Sequence, residues 1–266
     1  MAESGCVYFL ADAHLGQGSP ESNRERERDL LAFLDRVGTE RASLYVVGDL
    51  FDFWFEYAHA IPKEFVRVLQ AMGELRRHGV PLTYVGGNHD FWIGDYLARE
   101  LDVPFTDASI ALTHQGRRIF LAHGDGLGPG DGGYKLLKQV LRNPVARALF
   151  RWIHPDVGIP LARSVSKLSR HHAPRPGRTE EQLLELLAAP RFREGFDAVV
   201  MGHFHRPIHR FEGRNEFLVL GEWVTRRTYA RLENGAFSLL EFGSDREAMA
   251  PAMAGGAARW PARTIR

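Results

Sequence analysis

The chain has 266 residues, 44% hydrophobic and 25% charged, with a formal net charge of +1. That composition suits a globular protein with a sizeable core, and the near-neutral charge gives no overall pull toward nucleic acid. One cysteine, Cys6, rules out an intramolecular disulfide and suits a reducing cytosol; no apolar stretch approaches the ~18 residues of a membrane span.

In chain order, the opening MAESGCVYFLADAHLG has no basic lead, and its apolar run stops at Asp12. It reads as a first strand rather than a secretory signal. Leu30, Leu31, Leu34 and Val37 follow at helical spacing. ASLYVVGDLFD is a second strand, and Phe65, Val68, Leu69 and Met72 mark a second helix. VPLTYVGGNHD and RRIFLAHGDG are a third and a fourth strand. These apolar runs do not alternate, which is the pattern of strands covered on both faces. Residues 134–178 differ: they hold ten Lys or Arg against one acid, Asp156, and contain no convincing strand. Asn143-Pro144 is a good helix start, followed by an apolar stripe of Val145, Ala148, Leu149, Trp152 and Ile153 with Arg147 and Arg151 to its side. A further helical pattern covers roughly Ile159 to Ser169. DAVVMGHFH is a fifth strand, EFLVLGEW a later one, and YARLENGAFSLLEF a hairpin turning at Asn234-Gly235. Alternating strands and helices predict an α/β/β/α sandwich of two sheets flanked by helices. Residues 1–133 and 179–242 form the core, 134–178 a helical cap insertion, and 243–266 a tail expected to be disordered.

Each of the five strands ends in a polar cluster. The clusters contribute Asp12 and His14, Asp49, Asn88 and His89, His123, and His203 and His205. Alone, any of these reads as a turn or a helix cap. Together they set charged groups at the ends of buried strands, where they cost free energy unless paired or bound to metal. In extended geometry residues i and i+2 point the same way, so Asp12 with His14, and His203 with His205, would each aim two donors at one point. Mixed imidazole and carboxylate donors suit Mn, Fe or Zn rather than Mg or Ca.

The order DAH (12–14), GDLFD (48–52), GNHD (87–90), HGD (123–125) and GHFH (202–205) resembles the calcineurin-like metallophosphoesterase family. The resemblance implies the family's sandwich and two divalent metal ions, Mn first, with Fe or Zn as alternatives. It implies one ion on Asp12, His14, Asp49 and His205, a second on Asp49, Asn88, His123 and His203, and a hydroxide shared between them that attacks phosphorus. His89 would steady a phosphoryl oxygen or protonate the leaving group, oriented by Asp90, with Asp52 and Asp125 orienting ligands.

Within that family the chain is most similar to the UDP-2,3-diacylglucosamine pyrophosphohydrolases of lipid A biosynthesis. The residues concerned are ADAHLG, GDLFDFWFEY, GNHDFWIG, HGDGLGPGDGGYKLLKQVLRNP and SVSKLSR. This implies a nucleotide-linked glycolipid substrate cleaved to UMP and a diacylglucosamine 1-phosphate. It also implies a cytoplasmic protein held peripherally on the inner membrane. Substrate contacts would come from Asn88, His89, Asp131, Tyr134, Ser169, Arg170 and His203. Trp54 and Trp92 either line the groove or pack in the core. The best-known members of the branch carry Arg where this chain has His89, which keeps another nucleotide diphosphate or a soluble phosphodiester open as substrate. A fold that had lost catalysis would lack a ligand, and none is missing. A nucleic-acid binder would interleave aromatics with its basic residues, and the cap offers only Tyr134, Phe150 and Trp152. Nothing in the sequence sets the oligomeric state.

Overall fold

The computed structural model describes residues 5–127, 143–171, 178–249 and 252–253. Each apolar run becomes a strand. The first half runs β1 (Val7–Leu10), α1 (Pro20–Thr39), β2 (Ser43–Val47), α2 (Val66–Arg77), β3 (Leu82–Val85), α3 (Tyr96–Leu101), β4 (Phe105–Thr106), β5 (Ile110–His114) and β6 (Arg117–Ala122). Then come α4 (Pro144–Arg151) and α5 (Pro155–His171). Next, α6 (Glu180–Leu183) passes through a π-helical stretch, Leu184–Ala188, into α7 (Ala189–Arg193). Pro190 has no N–H for the preceding turn, and the wider turn accommodates its ring. The chain continues with β7 (Ala198–Met201), β8 (Pro207–Glu212), β9 (Asn215–Leu220), β10 (Thr228–Glu233), β11 (Ala236–Glu241), β12 (Arg246–Glu247) and β13 (Ala252–Met253).

One sheet has the order β12-β11-β10-β1-β2-β3-β4, the other β13-β8-β9-β7-β6-β5. β1, β2 and β3 are mutually parallel, as are β6, β7 and β9. Side-chain alternation divides the core into layers. Tyr8 and Leu10 pack outward with Leu30, Phe33 and Val37 of α1 and Val68 and Met72 of α2. Val7 and Phe9 point inward, meeting Leu121, Val200 and Leu218 of the second sheet. The far face of that sheet is covered by Leu183 and Leu187 against Val199, Met201 and Phe217. Helix, sheet, sheet and helix therefore stack in the order expected, with a face of each strand on either side. At Asn234-Gly235 both residues have positive φ (52° and 78°), as a tight two-residue hairpin requires.

One expectation needs correction. The segment after Phe242 was expected to carry no regular structure, yet β12 pairs with β11 and β13 runs parallel to β8. Between them Ala248 donates to the Leu239 carbonyl, and Ala248 and Met249 pack on the inter-sheet core. So short an apolar pair has no period to read. Helix α4 settles a direction that the sequence left open. Its N-cap is as expected, Asn143 accepting from the Val145 N–H. Its apolar stripe points away from the core: Val145, Leu149 and Trp152 are 65%, 66% and 90% exposed. Phe150 docks the helix instead, packing with Ile159 and Ala162 of α5 onto Phe53, Phe55, Tyr57 and Trp92. Helix α5 starts earlier than its pattern suggested and runs through Pro160, giving up one internal hydrogen bond. No helix among the described residues is long and apolar enough to cross a membrane.

Candidate metal centre

The five polar clusters leave the strands at one edge of the sandwich, and backbone hydrogen bonds lace their loops together. Asp12 N–H donates to the Gly48 carbonyl, His14 N–H to Asp49, Gly202 N–H to His123, and Trp223 N–H to Asp12. The strand geometry does not continue into the site. Asp12, His14, Asp49, His203 and His205 all have left-handed φ, between 43° and 70°. Such values are uncommon for residues with a side chain, and they cluster at functional sites. Asp12 and His14 still converge, as their i, i+2 spacing suggested, but the second such pair does not. His203 and His205 turn to different partners: His203 Nδ1 lies 2.9 Å from Asn88 Oδ1, and His205 Nε2 3.2 Å from Asp12 Oδ1.

Two groups of donors result. In one, His14 Nε2 stands 3.2 Å from His205 Nε2 and 3.7 Å from Asp12 Oδ1. In the other, Asn88 Oδ1 lies 3.1 Å from His123 Nε2 and 2.9 Å from His203 Nδ1. Asp49 Oδ2 sits between them, 3.9 Å from His14 Nε2 and 3.3 Å from His123 Nε2. The second oxygen of each carboxylate is tied to backbone, Asp12 Oδ2 accepting from His203 N–H and Asp49 Oδ1 from His89 N–H. Each Asp is thus locked by one oxygen and presents the other.

Glycines make this close approach feasible. A Cβ on Gly87 would sit 2.1 Å from Asp49 Oδ1, and one on Gly202 2.7 Å from Asp12 Oδ2. Gly87→Ala is expected to cost about 1–3 kcal/mol of overpacking. At roughly 2–4 °C per kcal/mol for a chain of this size, a thermal melt will read it directly.

Burial alone would raise the Asp49 pKa, but the surrounding His123, His89 and His14 outweigh it and hold the carboxyl well below its usual range. Asp12 is lowered in the same way, with His14 and His205 overcoming burial. His123 moves upward: burial opposes its charge, yet Asp49 and Asp12 prevail. His203 is pushed down to about 4 by burial and by neighbouring His123. His123 Nδ1 faces the Val47 carbonyl at 2.9 Å, so it must carry the proton, leaving Nε2 as the donor atom aimed into the site.

The donor set fits divalent metal. Asp12, His14 and His205, and likewise Asp12, Asp49 and His123, offer ligand atoms within 4.8 Å of one another. Asp12 Oδ1 is buried without a regular hydrogen bond, a state that suits an oxygen reserved for a cation.

The Asp90 carboxylate does not orient His89 as the sequence suggested. It accepts from Leu50 N–H, Gly87 N–H and the Tyr84 hydroxyl, stapling the loop that carries Asp49 to the loop that carries Asn88. Burial, reinforced by nearby Asp49, pushes its pKa up to about 6. His89 is steadied by Asp52 instead, with Nδ1 2.8 Å from the Asp52 carbonyl and 3.8 Å from Oδ1. Asp125 is buried beyond His123 and adds to the negative field on it. Trp54 is fully buried against Phe51 and Phe65, so it is core rather than groove, while Trp92 joins the aromatic cluster under Phe150. Asp131 and Tyr134 lie outside the described residues. Ser169 and Arg170 fall in the last turns of α5, and their side chains also lie outside the description. Sequence reasoning missed Tyr84 and a buried arginine, Arg26. The latter left a signal, a charge four residues before Leu30 on the apolar stripe of α1.

A family model described as calcineurin-like phosphoesterase matches residues 7–207, a span that holds every one of these donors. The chain belongs to the calcineurin-like phosphoesterase family. It is therefore a hydrolase of a family that uses divalent metals, and the Asp and His clusters are where this phosphoesterase can hold them. A UDP-2,3-diacylglucosamine hydrolase of Porphyromonas gingivalis is 32% identical over 263 residues, covering 91% of this chain and 98% of that one. Another, from Edwardsiella ictaluri, is 29% identical over 239 residues, covering 88% and 90%. Among solved structures, Yfce, a phosphoesterase from E. coli, aligns with a TM-score of 0.47 at 17% identity over 92% of this chain and 97% of that one.

Proposed function

We propose that this phosphoesterase cleaves the pyrophosphate of UDP-2,3-diacylglucosamine, releasing UMP and 2,3-diacylglucosamine 1-phosphate. The observation that carries the chemistry is Asp49 Oδ2 standing within 4 Å of both His14 and His123, between two sets of donors. The choice of substrate rests on the printed names of the relatives, which this chain matches along almost its whole length.

On this reading Asp12, His14, Asp49 and His205 would hold one ion, and Asp49, Asn88, His123 and His203 the other. Their mixed nitrogen and oxygen character favours manganese, with iron or zinc as alternatives. When bound, the ions supply Lewis-acid activation of water and neutralise charge on the phosphoryl oxygens. The protein's own groups do the rest. Asp12 and Asp49, each fixed by one oxygen, keep the centre rigid. Asn88 and His203 flank the place of the phosphoryl group. His89 keeps its Nδ1 proton on the Asp52 carbonyl, which assigns Nε2 to proton exchange with substrate. Burial keeps that imidazole neutral by lowering its pKa. Water adds to the phosphorus on the uridine side, the bond from that phosphorus to the bridging oxygen breaks, and the electron pair leaves on the sugar phosphate. Asp131, Tyr134, Ser169 and Arg170 as substrate contacts rest on resemblance alone.

A lipid-linked substrate also gives the exposed apolar residues of the cap a role. Val145, Leu149 and Trp152 on α4 and Val157 and Leu161 on α5 are each more than half exposed, beside Arg147 and Arg151. Apolar and basic groups side by side on a helix suit an anionic membrane surface, so we place the protein peripherally on the cytoplasmic face. Purified protein with Mn²⁺ and UDP-2,3-diacylglucosamine in ¹⁸O water should yield UMP carrying the label. Label in the sugar phosphate, or no UMP, would reject the reading.

A further inference from the structure

Helix α1 packs on the first sheet through Leu30, Phe33, Leu34 and Val37, and one turn earlier the same face carries Arg26. This arginine is only 2% exposed, yet no carboxylate hydrogen-bonds its guanidinium among the described residues. It is spent on backbone. Nη1 donates to the His14 carbonyl at 2.5 Å and the Ala13 carbonyl at 3.3 Å, and Nη2 to the Gln17 carbonyl at 3.2 Å. Asn23, a turn nearer the start of the helix, accepts from Gly16 N–H at 2.7 Å. The 13–17 loop is therefore gripped from the helix side by Arg26 and Asn23. From the sheet side it is gripped by His14 N–H on Asp49 and Leu15 N–H on Leu50.

The grip falls on a residue that needs it. His14 has φ 43°, a conformation that persists only where its surroundings impose it. Charge-assisted bonds to its own carbonyl and the preceding one can fix the peptide that sets this angle. The donors on the other side of Asp49 are anchored elsewhere: His123 by the Val47 carbonyl, and the loop of Asn88 by Asp90. Arg26 touches neither.

We propose that Arg26 is a positioning residue that holds His14 in its ligating conformation, and that it acts on one half of the metal pair only, the half formed by Asp12, His14 and His205. This rests on the two-ion reading above, so wild-type protein is titrated first: two Mn²⁺ sites by calorimetry and by electron paramagnetic resonance establish that reading independently, and fewer than two reject it together with this proposal. In Arg26→Met, one site should weaken by about 10–100-fold while the other stays within about twofold, the loss typical of removing a group that orients a ligand. Arg26→Lys, which keeps the charge but has one donor head, should recover part of the loss and also serves if the methionine variant folds poorly. In a His14→Ala background, Arg26→Met should weaken Mn²⁺ binding by less than about twofold more, because the group it positions is gone. Equal weakening of both sites, unchanged binding, or full additivity with His14→Ala would overturn the proposal.

Discussion

Asp49→Ala is expected to reduce Mn²⁺-dependent hydrolysis by at least about 10³-fold and to lower bound metal from two ions to one or none. One oxygen, Oδ2, lies between both donor groups, so its loss removes a ligand from each. Losing several kcal/mol of charge stabilisation, at about 1.4 kcal/mol per tenfold in rate, sets that scale. The substitution also frees His89 N–H, which Asp49 Oδ1 holds at 2.9 Å. Asp49→Asn separates the effects, because it keeps an acceptor for that N–H while removing the negative charge. Both variants should lose activity and metal together, as read by steady-state assay and metal analysis. Near-normal turnover with either would discard the two-ion scheme.

The second large effect is expected at the cap. Leu149 and Trp152 are 66% and 90% exposed, so Leu149→Ser with Trp152→Ser removes little packing and should leave the thermal melt within a few degrees. Burying two such side chains in a lipid phase contributes roughly 1.5–3 kcal/mol each. The double variant should therefore hydrolyse UDP-2,3-diacylglucosamine in vesicles at least about 10²-fold more slowly at limiting substrate, the loss appearing in KM rather than kcat. A small chromogenic phosphodiester, which needs no lipid contact, should be cleaved at the wild-type rate. Equal losses on both substrates would show that these residues serve the fold and not the lipid.

The two cases also show what was legible in the sequence. Residues such as Val7–Leu10 and Ala198–Met201 announce themselves as continuous apolar runs because they are covered on both faces. The donors were found because each follows such a run. The left-handed turns at Asp12, His14, Asp49, His203 and His205 were not legible, since nothing in a side chain's identity states that its neighbours will impose a rare backbone angle. The orientation of α4 was not legible for a related reason. Its stripe of Val145, Leu149 and Trp152 is a true amphipathic pattern, but periodicity does not say whether the apolar side meets protein or lies outside it. Asp90 was misplaced because the partner of His89 is set by how two loops cross, a matter of tertiary contact, whereas Asp52 does lie beside a ligand, its Oδ1 3.7 Å from His14 Nδ1. The short strands β4, β12 and β13, two residues each, are made by pairing with longer neighbours and carry no pattern of their own.

The most direct test of the central claim is an anomalous-scattering map from crystals grown with Mn²⁺. The account predicts two peaks roughly 3.5–4 Å apart, the spacing of two-metal hydrolytic sites, with Asp49 Oδ2 touching both. Asp12, His14 and His205 should surround one peak, and Asn88, His123 and His203 the other. A single peak, or two peaks not joined through Asp49, would contradict it.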